Sequence, residues 1–158
     1  MIAENDKKRR EALERLLNEM GQLGISGRLV LKGEEGSKFD LLVCAHDNIP
    51  GLPDGAVGQY FFPGVEAAED VFYFTCMVTI KGNLSKEEEK AIRARLDEVN
   101  AGLVCGQFEV FPQIGLIYKL SYPLPEEIEE DALFRMMDMS AAHCVAFVTS
   151  YTKTLLEG

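Results

Sequence analysis

Apolar residues recur at helical spacing near the start of the chain. Leucine and methionine occupy every third or fourth position between Leu13 and Leu23, which places them on one face of a helix. Gly21 and Gly24 follow this stripe and are suitable residues for ending it. The pattern therefore predicts a first helix from Asn5 to Gln22.

The next part of the chain shows the two-residue alternation that is typical of strands. In its clearest segment Phe72 and Phe74 share one face, and Tyr73 lies on the other. Glycine and proline separate such segments and indicate loops at His46–Ala56 and Pro63–Asp70. The predicted strands are Arg28–Lys32, Phe39–Ala45, Val57–Phe62 and Val71–Ile80.

A capped helix and two amphipathic strands begin the second half. Ser85 and Glu88 form a capping box, in which each side chain satisfies the backbone N–H group of the other. An apolar stripe extends this predicted helix from Ser85 to Ala101. The predicted strands Leu103–Phe111 and Gly115–Tyr122 should each have one buried and one wet face. The wet faces of these strands carry Gln107, Glu109 and Lys119. They form a second contact area, in addition to the last helix described next.

The last predicted helix starts at Glu126 and is apolar on more than one face. Five of the six residues from Glu126 to Asp131 are acidic, which suits the positive end of a helix dipole. One sheet cannot cover the apolar residues that follow, so the helix predicts a second partner and hence a homodimer. Its methionines fit either a core or an adaptable binding surface. The candidate interface residues are Met136, Met137, Ser140, Cys144, Phe147, Val148 and Tyr151.

Together these elements predict an α+β fold. It consists of an N-terminal helix, an antiparallel sheet of about five to six strands interrupted by a helix, and a long C-terminal helix. The chain has 158 residues, of which 47% are hydrophobic and 27% are charged, as is usual for one globular domain. We therefore predict a single α+β domain over residues 1–158.

Net charge and cysteine content narrow the partners and the compartment. A net charge of −10 disfavours nucleic acid and anionic membranes, because both attract Lys and Arg. Four separated cysteines in apolar segments fit buried thiols in a reducing compartment. The charged start has no signal peptide, and the uncharged stretch Met139–Thr152 is too short to span a membrane. We predict a cytoplasmic protein that binds neither nucleic acid nor membrane.

Candidate catalytic groups are few. The sequence has no phosphate-binding loop, nucleophile elbow or metal-ligand spacing. His143 and Cys144 would point about 100° apart on a helix, so this histidine cannot readily activate that cysteine. A pair assembled through space, such as Cys44 with His143, stays open. The basic run Lys7–Arg10 is either a binding patch or a solvated helix face. We expect no enzymatic activity, no metal and no cofactor.

The second half also resembles a known family. The resemblance is carried by the helix Ser85–Asn100, the strand text LVCGQFEVF, the strand text GLIYKLSYPLP and the acidic start of the last helix. These pieces are similar to the YbjN-like branch of the type III secretion chaperone-like proteins and cover about half of the chain. The resemblance implies a small, acidic, cytoplasmic and usually homodimeric protein that acts without catalysis.

Three functions compete at this point. The first is a non-catalytic protein-binding module, chaperone-like or regulatory, that acts as a homodimer and contacts another polypeptide. The alternative is a small-molecule-binding sensor with a pocket between sheet and helix. The third is an enzyme that uses a cysteine or a carboxylate. The missing catalytic motifs and the surplus apolar helix favour the first.

Overall fold

The computed structural model describes residues 2–64 and 71–157, with the backbone alone for Ile2 and Ala3. A single 3-10 turn at Glu34–Gly36 follows the first strand. The predicted α+β class, with its order of helix, four strands, helix, two strands and helix, is confirmed. Most of the loop predicted at Pro63–Asp70 lies outside the described residues. The elements are α1 (Ile2–Gln22), β1 (Ser26–Val30), β2 (Leu41–His46), β3 (Ala56–Phe61), β4 (Val71–Lys81), α2 (Lys86–Ala101), β5 (Gln107–Phe111), β6 (Gly115–Pro125) and α3 (Glu130–Glu157).

The six strands form one antiparallel sheet in the order β1-β2-β3-β4-β6-β5. Register partners sit side by side and share a face of the sheet. One row of such partners crosses all six strands and consists of Gly27, Cys44, Gly58, Val78, Tyr118 and Phe108. This row marks the face on which the core lies.

The three helices cover that face. The Met20 sulfur of α1 lies 3.0 Å from the sulfur of Cys44. His143 of α3 places its Nε2 atom 3.1 Å from the hydroxyl of Tyr118. Helix α2 packs against β5 and α3, so α3 lies between α1 and α2. The core therefore fills the space between the sheet and a single layer of helices.

The buried residues follow the two expected periods. On β4, Phe72, Phe74, Cys76 and Val78 are buried at every second position, as the alternation predicts. Burying a side chain of this size contributes roughly 1.5–3 kcal/mol. The buried residues of α3 recur every three or four positions and are Leu133, Met137, Ser140, Ala141, Cys144, Val148, Thr152 and Leu155.

All six strands shift from their predicted bounds at one or both ends, and two of these shifts have a local cause. β1 ends before Lys32, because the Lys32 N–H donates to the Asp40 carboxylate at 2.8 Å and the chain leaves the sheet. β5 begins at Gln107 rather than Leu103, because Gly106 has a φ of 69°. That left-handed conformation does not continue a strand.

Local structure determines where α2 and α3 begin. The Ser85 hydroxyl accepts from the Glu88 N–H at 3.1 Å, and the Glu88 carboxylate accepts from the Ser85 N–H at 2.8 Å. The predicted capping box is thus confirmed. α3 begins at Glu130 rather than Glu126, because β6 continues to Pro125 in register with β4. None of the helices in the described part of the chain combines the length and apolar character needed to cross a bilayer.

Candidate functional site

The candidate interface residues of α3 divide into a buried and a partly exposed group. Met137, Cys144 and Val148 are fully buried, and Ser140 is nearly so. The partly exposed members are Met136, Phe147 and Tyr151. Because α1, α2 and the sheet surround α3, most of its apolar residues are covered within one chain, while Met136 and Met139 are exposed. The buried members are thus covered without a second chain, and an interface through the exposed members stays a prediction.

The opposite face of the sheet is contacted by no helix among residues 2–64 and 71–157. We call it the helix-free face, and it consists of the strand positions that alternate with the core row. Lys119 on the inner strand β6 is charged, whereas the members on β2, β3 and β4 are uncharged, with Val57 the most exposed at 44%. They are Leu41, Val43, Ala45, Val57, Gln59, Phe61, Tyr73, Thr75, Met77 and Thr79.

A shallow groove of about 220 Å³ crosses the helix-free face. The Thr75 and Ser121 hydroxyl oxygens lie 2.6 Å apart and satisfy one another there. Beside the groove, the Phe39 and Phe61 rings stack with centroids 4.7 Å apart and an angle of 2°. The face therefore offers both an apolar surface and a recess. The groove is lined by Phe61, Pro63, Tyr73, Thr75, Lys119 and Ser121.

Charged residues lie toward the sides of this face. Gln107 is in register with Lys119, and Glu109 is in register with Ile117, so the second contact area predicted from the sequence belongs to the helix-free face. Among the described strand residues, Glu109 is the one acidic residue on it, although the chain carries a net charge of −10. The side of β2, β3 and β4 that faces away from the helices was not predicted as a surface from the sequence. The sequence did contain a signal for it, because apolar residues occupy both odd and even positions of these strands, as in β2.

The basic run of α1 is engaged within the chain. Arg9 lies 3.1 Å from the Glu126 carboxylate, and Arg10 lies 2.8 Å from that of Asp40. Lys8 donates to the carbonyl oxygen of Ile128. Arg9 and Lys8 thus fasten α1 to the link between β6 and α3, and Arg10 fastens it to the start of β2. The run is therefore largely a structural clamp, which neither of the two sequence interpretations described.

The structure pairs His143 with a different cysteine from the one considered above. Cys44 packs against Met20, and burial raises the pKa of its thiol to about 11. Cys105 instead lies 3.2 Å from His143 Nε2 and is exposed. The expectation of four buried thiols therefore holds for three cysteines and is wrong for Cys105, because the turn at Gly106 lifts it out of the strand.

Recesses lie beside the helices, with about 580 Å³ next to Lys8 and Glu126 and about 340 Å³ between α2 and β5. Another of about 170 Å³ lies between α1 and the start of β2, where Arg10 and Asp40 line it. Small-molecule sites usually have volumes of roughly 300–1,000 Å³. Within the described residues, no three His, Cys, Asp or Glu side chains are grouped so that they could hold a metal ion.

Comparisons with known proteins show a similarity in structure. No family model and no curated protein matches the chain. Among solved structures, the chain is similar to YbjN, described as "a putative transcription regulator from E. coli". The sequence identity is 9%, the match covers 91% of this chain and 93% of that chain, and the TM-score is 0.45. A similarity at this level carries no inference about function. The relation to type III secretion chaperones stays a prediction.

Proposed function

We propose that this protein is a non-catalytic protein-binding module that forms a homodimer through the helix-free face. The observation that carries the proposal is the uncharged surface formed by β2, β3 and β4. Large uncharged surfaces on one side of a sheet are usually covered by another layer. Since the helices all lie on the other side, the missing layer is supplied by another polypeptide.

A second copy of the chain is the partner that the charges favour. Two copies with a net charge of −10 each repel one another, and the helix-free face is where the fewest carboxylates would approach. Two such faces can pack about 10 Å apart around a two-fold axis, as in a β-sandwich. From strand spacing and length, the sheet spans on the order of 500 Å² in plan. Because side chains project from the sheet, the surface area in contact is larger than this flat projection. It approaches the roughly 800 Å² per partner that stable interfaces bury.

The wider role that fits such a module is regulatory or chaperone-like action through contacts in the cytoplasm. The protein would work by presenting a surface rather than by turning over a substrate. Dimerisation and capture of a further polypeptide are separate properties, and the first can be measured without knowing the second partner.

Light scattering coupled to size exclusion tests the dimer at tens of micromolar protein. The wild type should elute with twice the chain mass of 17.6 kDa. Val57→Glu and Met77→Glu, singly or together, should give monomers, because they place carboxylates in the middle of the face. Met139→Glu is the matched control, because Met139 is 69% exposed on α3. A monomeric wild type, or a dimer that only Met139→Glu disperses, would contradict the proposal.

A further inference from the structure

A cysteine, a histidine and a tyrosine meet at the edge of the sheet, away from the helix-free face. Cys105 lies in the connection before β5, with its sulfur 3.2 Å from Nε2 of His143 on α3. The Tyr118 hydroxyl lies 3.1 Å from the same nitrogen and 2.9 Å from the Cys105 carbonyl oxygen. The Phe147 ring packs on the imidazole with centroids 4.0 Å apart, which holds its orientation.

The hydrogen atoms of this cluster can be assigned from its acceptors. A carbonyl oxygen can only accept, so the single Tyr118 hydroxyl hydrogen is directed at Cys105. Burial raises the pKa of Tyr118, so the tyrosine keeps that hydrogen. In its contact with His143 the Tyr118 oxygen is therefore left to accept, so a proton that Nε2 takes from the Cys105 thiol lies between the Tyr118 oxygen and the Cys105 sulfur. A ring N–H directed at sulfur stabilises the thiolate form.

The local backbone is shaped for this arrangement. Gly106 has a φ of 69°, and a Cβ atom at this position would overlap the Tyr118 hydroxyl. Glycine thus permits the turn that brings the Cys105 carbonyl to Tyr118 and its sulfur to His143. The other three cysteines, all among the described residues, are buried. Burial raises the pKa of Cys44 and Cys76, which keeps those thiols protonated.

We propose that Cys105 is a reactive thiol and a site of reversible mixed-disulfide formation with small-molecule disulfides, with His143 holding the thiol proton. The proton of Cys105 passes to His143 Nε2. The thiolate then attacks one sulfur of the disulfide, a new bond forms to the Cys105 sulfur, and the disulfide bond breaks. The departing thiolate takes up a proton from the imidazolium or from water. The reaction needs no further oxidant, and the site is independent of the proposed dimer.

The test is timed labelling of the native full-length chain with dithiodipyridine, an uncharged disulfide that the acidic protein does not repel. One thiol should react rapidly and map to Cys105, and Cys105→Ser should abolish that phase. At pH 6, His143→Gln should slow the labelling severalfold, because the thiol proton loses its acceptor. At about pH 10, where an ordinary thiol is ionised without help, the two rates should converge.

This convergence separates proton transfer from a purely structural role of His143. The three buried cysteines, which should stay unlabelled in both proteins until denaturant is added, report whether the variant is folded. Equal slowing of His143→Gln at both pH values would overturn the proposal. So would native Cys105 reacting no faster at pH 6 than the same cysteine in denaturant.

Discussion

The Nε2 atom of His46 lies 2.8 Å from the Tyr60 hydroxyl oxygen, and both side chains are buried on neighbouring strands. Gly58 makes room for them, since a Cβ atom there would lie 2.7 Å from His46 Nε2. Burial lowers the pKa of His46, although the nearby Asp47 charge opposes this, and burial raises the pKa of Tyr60. The pair is therefore neutral in the folded protein and serves as a polar contact within the core.

This pair predicts that the protein loses stability as pH falls below about 6.5. The unfolded chain takes up a proton at His46 with the ordinary pKa of about 6.5, whereas the folded chain resists it. Since the unfolded state then binds more protons, the free energy of unfolding decreases between about pH 6.5 and the lower folded-state pKa. Urea denaturation from pH 7.5 to 5.5 should show a shallower decrease for His46→Gln. Identical slopes for the two proteins would contradict the prediction.

The Asn100 side chain forms hydrogen bonds with the backbone of Phe108, as a neighbouring strand would. Its side-chain amide donates to the Phe108 carbonyl at 2.9 Å and accepts from the Phe108 N–H at 2.8 Å. Asn100→Ala should lower the free energy of unfolding by about 2 kcal/mol, because two backbone groups of the edge strand lose their partner. Hydrogen exchange at the Phe108 amide should accelerate. Asn18→Ala, on the exposed side of α1, should change stability little, and equal effects of the two variants would refute this role.

Met137 and Met139 allow the same substitution at a buried and an exposed position of α3. Met137 is 0% exposed and Met139 is 69% exposed. Met137→Ala should lower the free energy of unfolding by about 2–5 kcal/mol through loss of buried contacts and creation of a cavity. Met139→Ala should change it by less than about 0.5 kcal/mol. Urea denaturation measures both, and a large effect of Met139→Ala would show that this residue is covered.

The clamp between α1 and the link from β6 to α3 also has a matched control. Arg9 stacks over the Phe72 ring at 4.4 Å and pairs with Glu126, while Lys7 makes an exposed pair with Glu11 at 3.6 Å. Arg9→Gln should lower the free energy of unfolding by about 1 kcal/mol. Lys7→Gln should have almost no effect, because exposed ion pairs contribute little. Equal effects on the urea midpoint would argue against the clamp.

Most of the fold could be predicted from the sequence because the elements are locally specified. The alternation at Phe72 and Phe74 identified β4 and its buried face, and the capping box at Ser85 identified the start of α2. The errors lie at the ends of elements, such as the start of α3. There, pairing of Pro125 with Val71 across the sheet outweighs a local preference for helix.

The sequence by itself determined the class, the number of helices and strands, and the faces of the amphipathic segments, because these follow from the spacing of apolar residues along the chain. Only the tertiary structure decided what covers α3 and which sheet face stays open. The apolar surface of α3 is the same whether α1 and α2 or a second chain covers it. Likewise, Cys105 and His143 are 38 positions apart and meet through the turn at Gly106 and the docking of α3 on β6. Such proximity depends on packing between elements, which a local pattern does not encode.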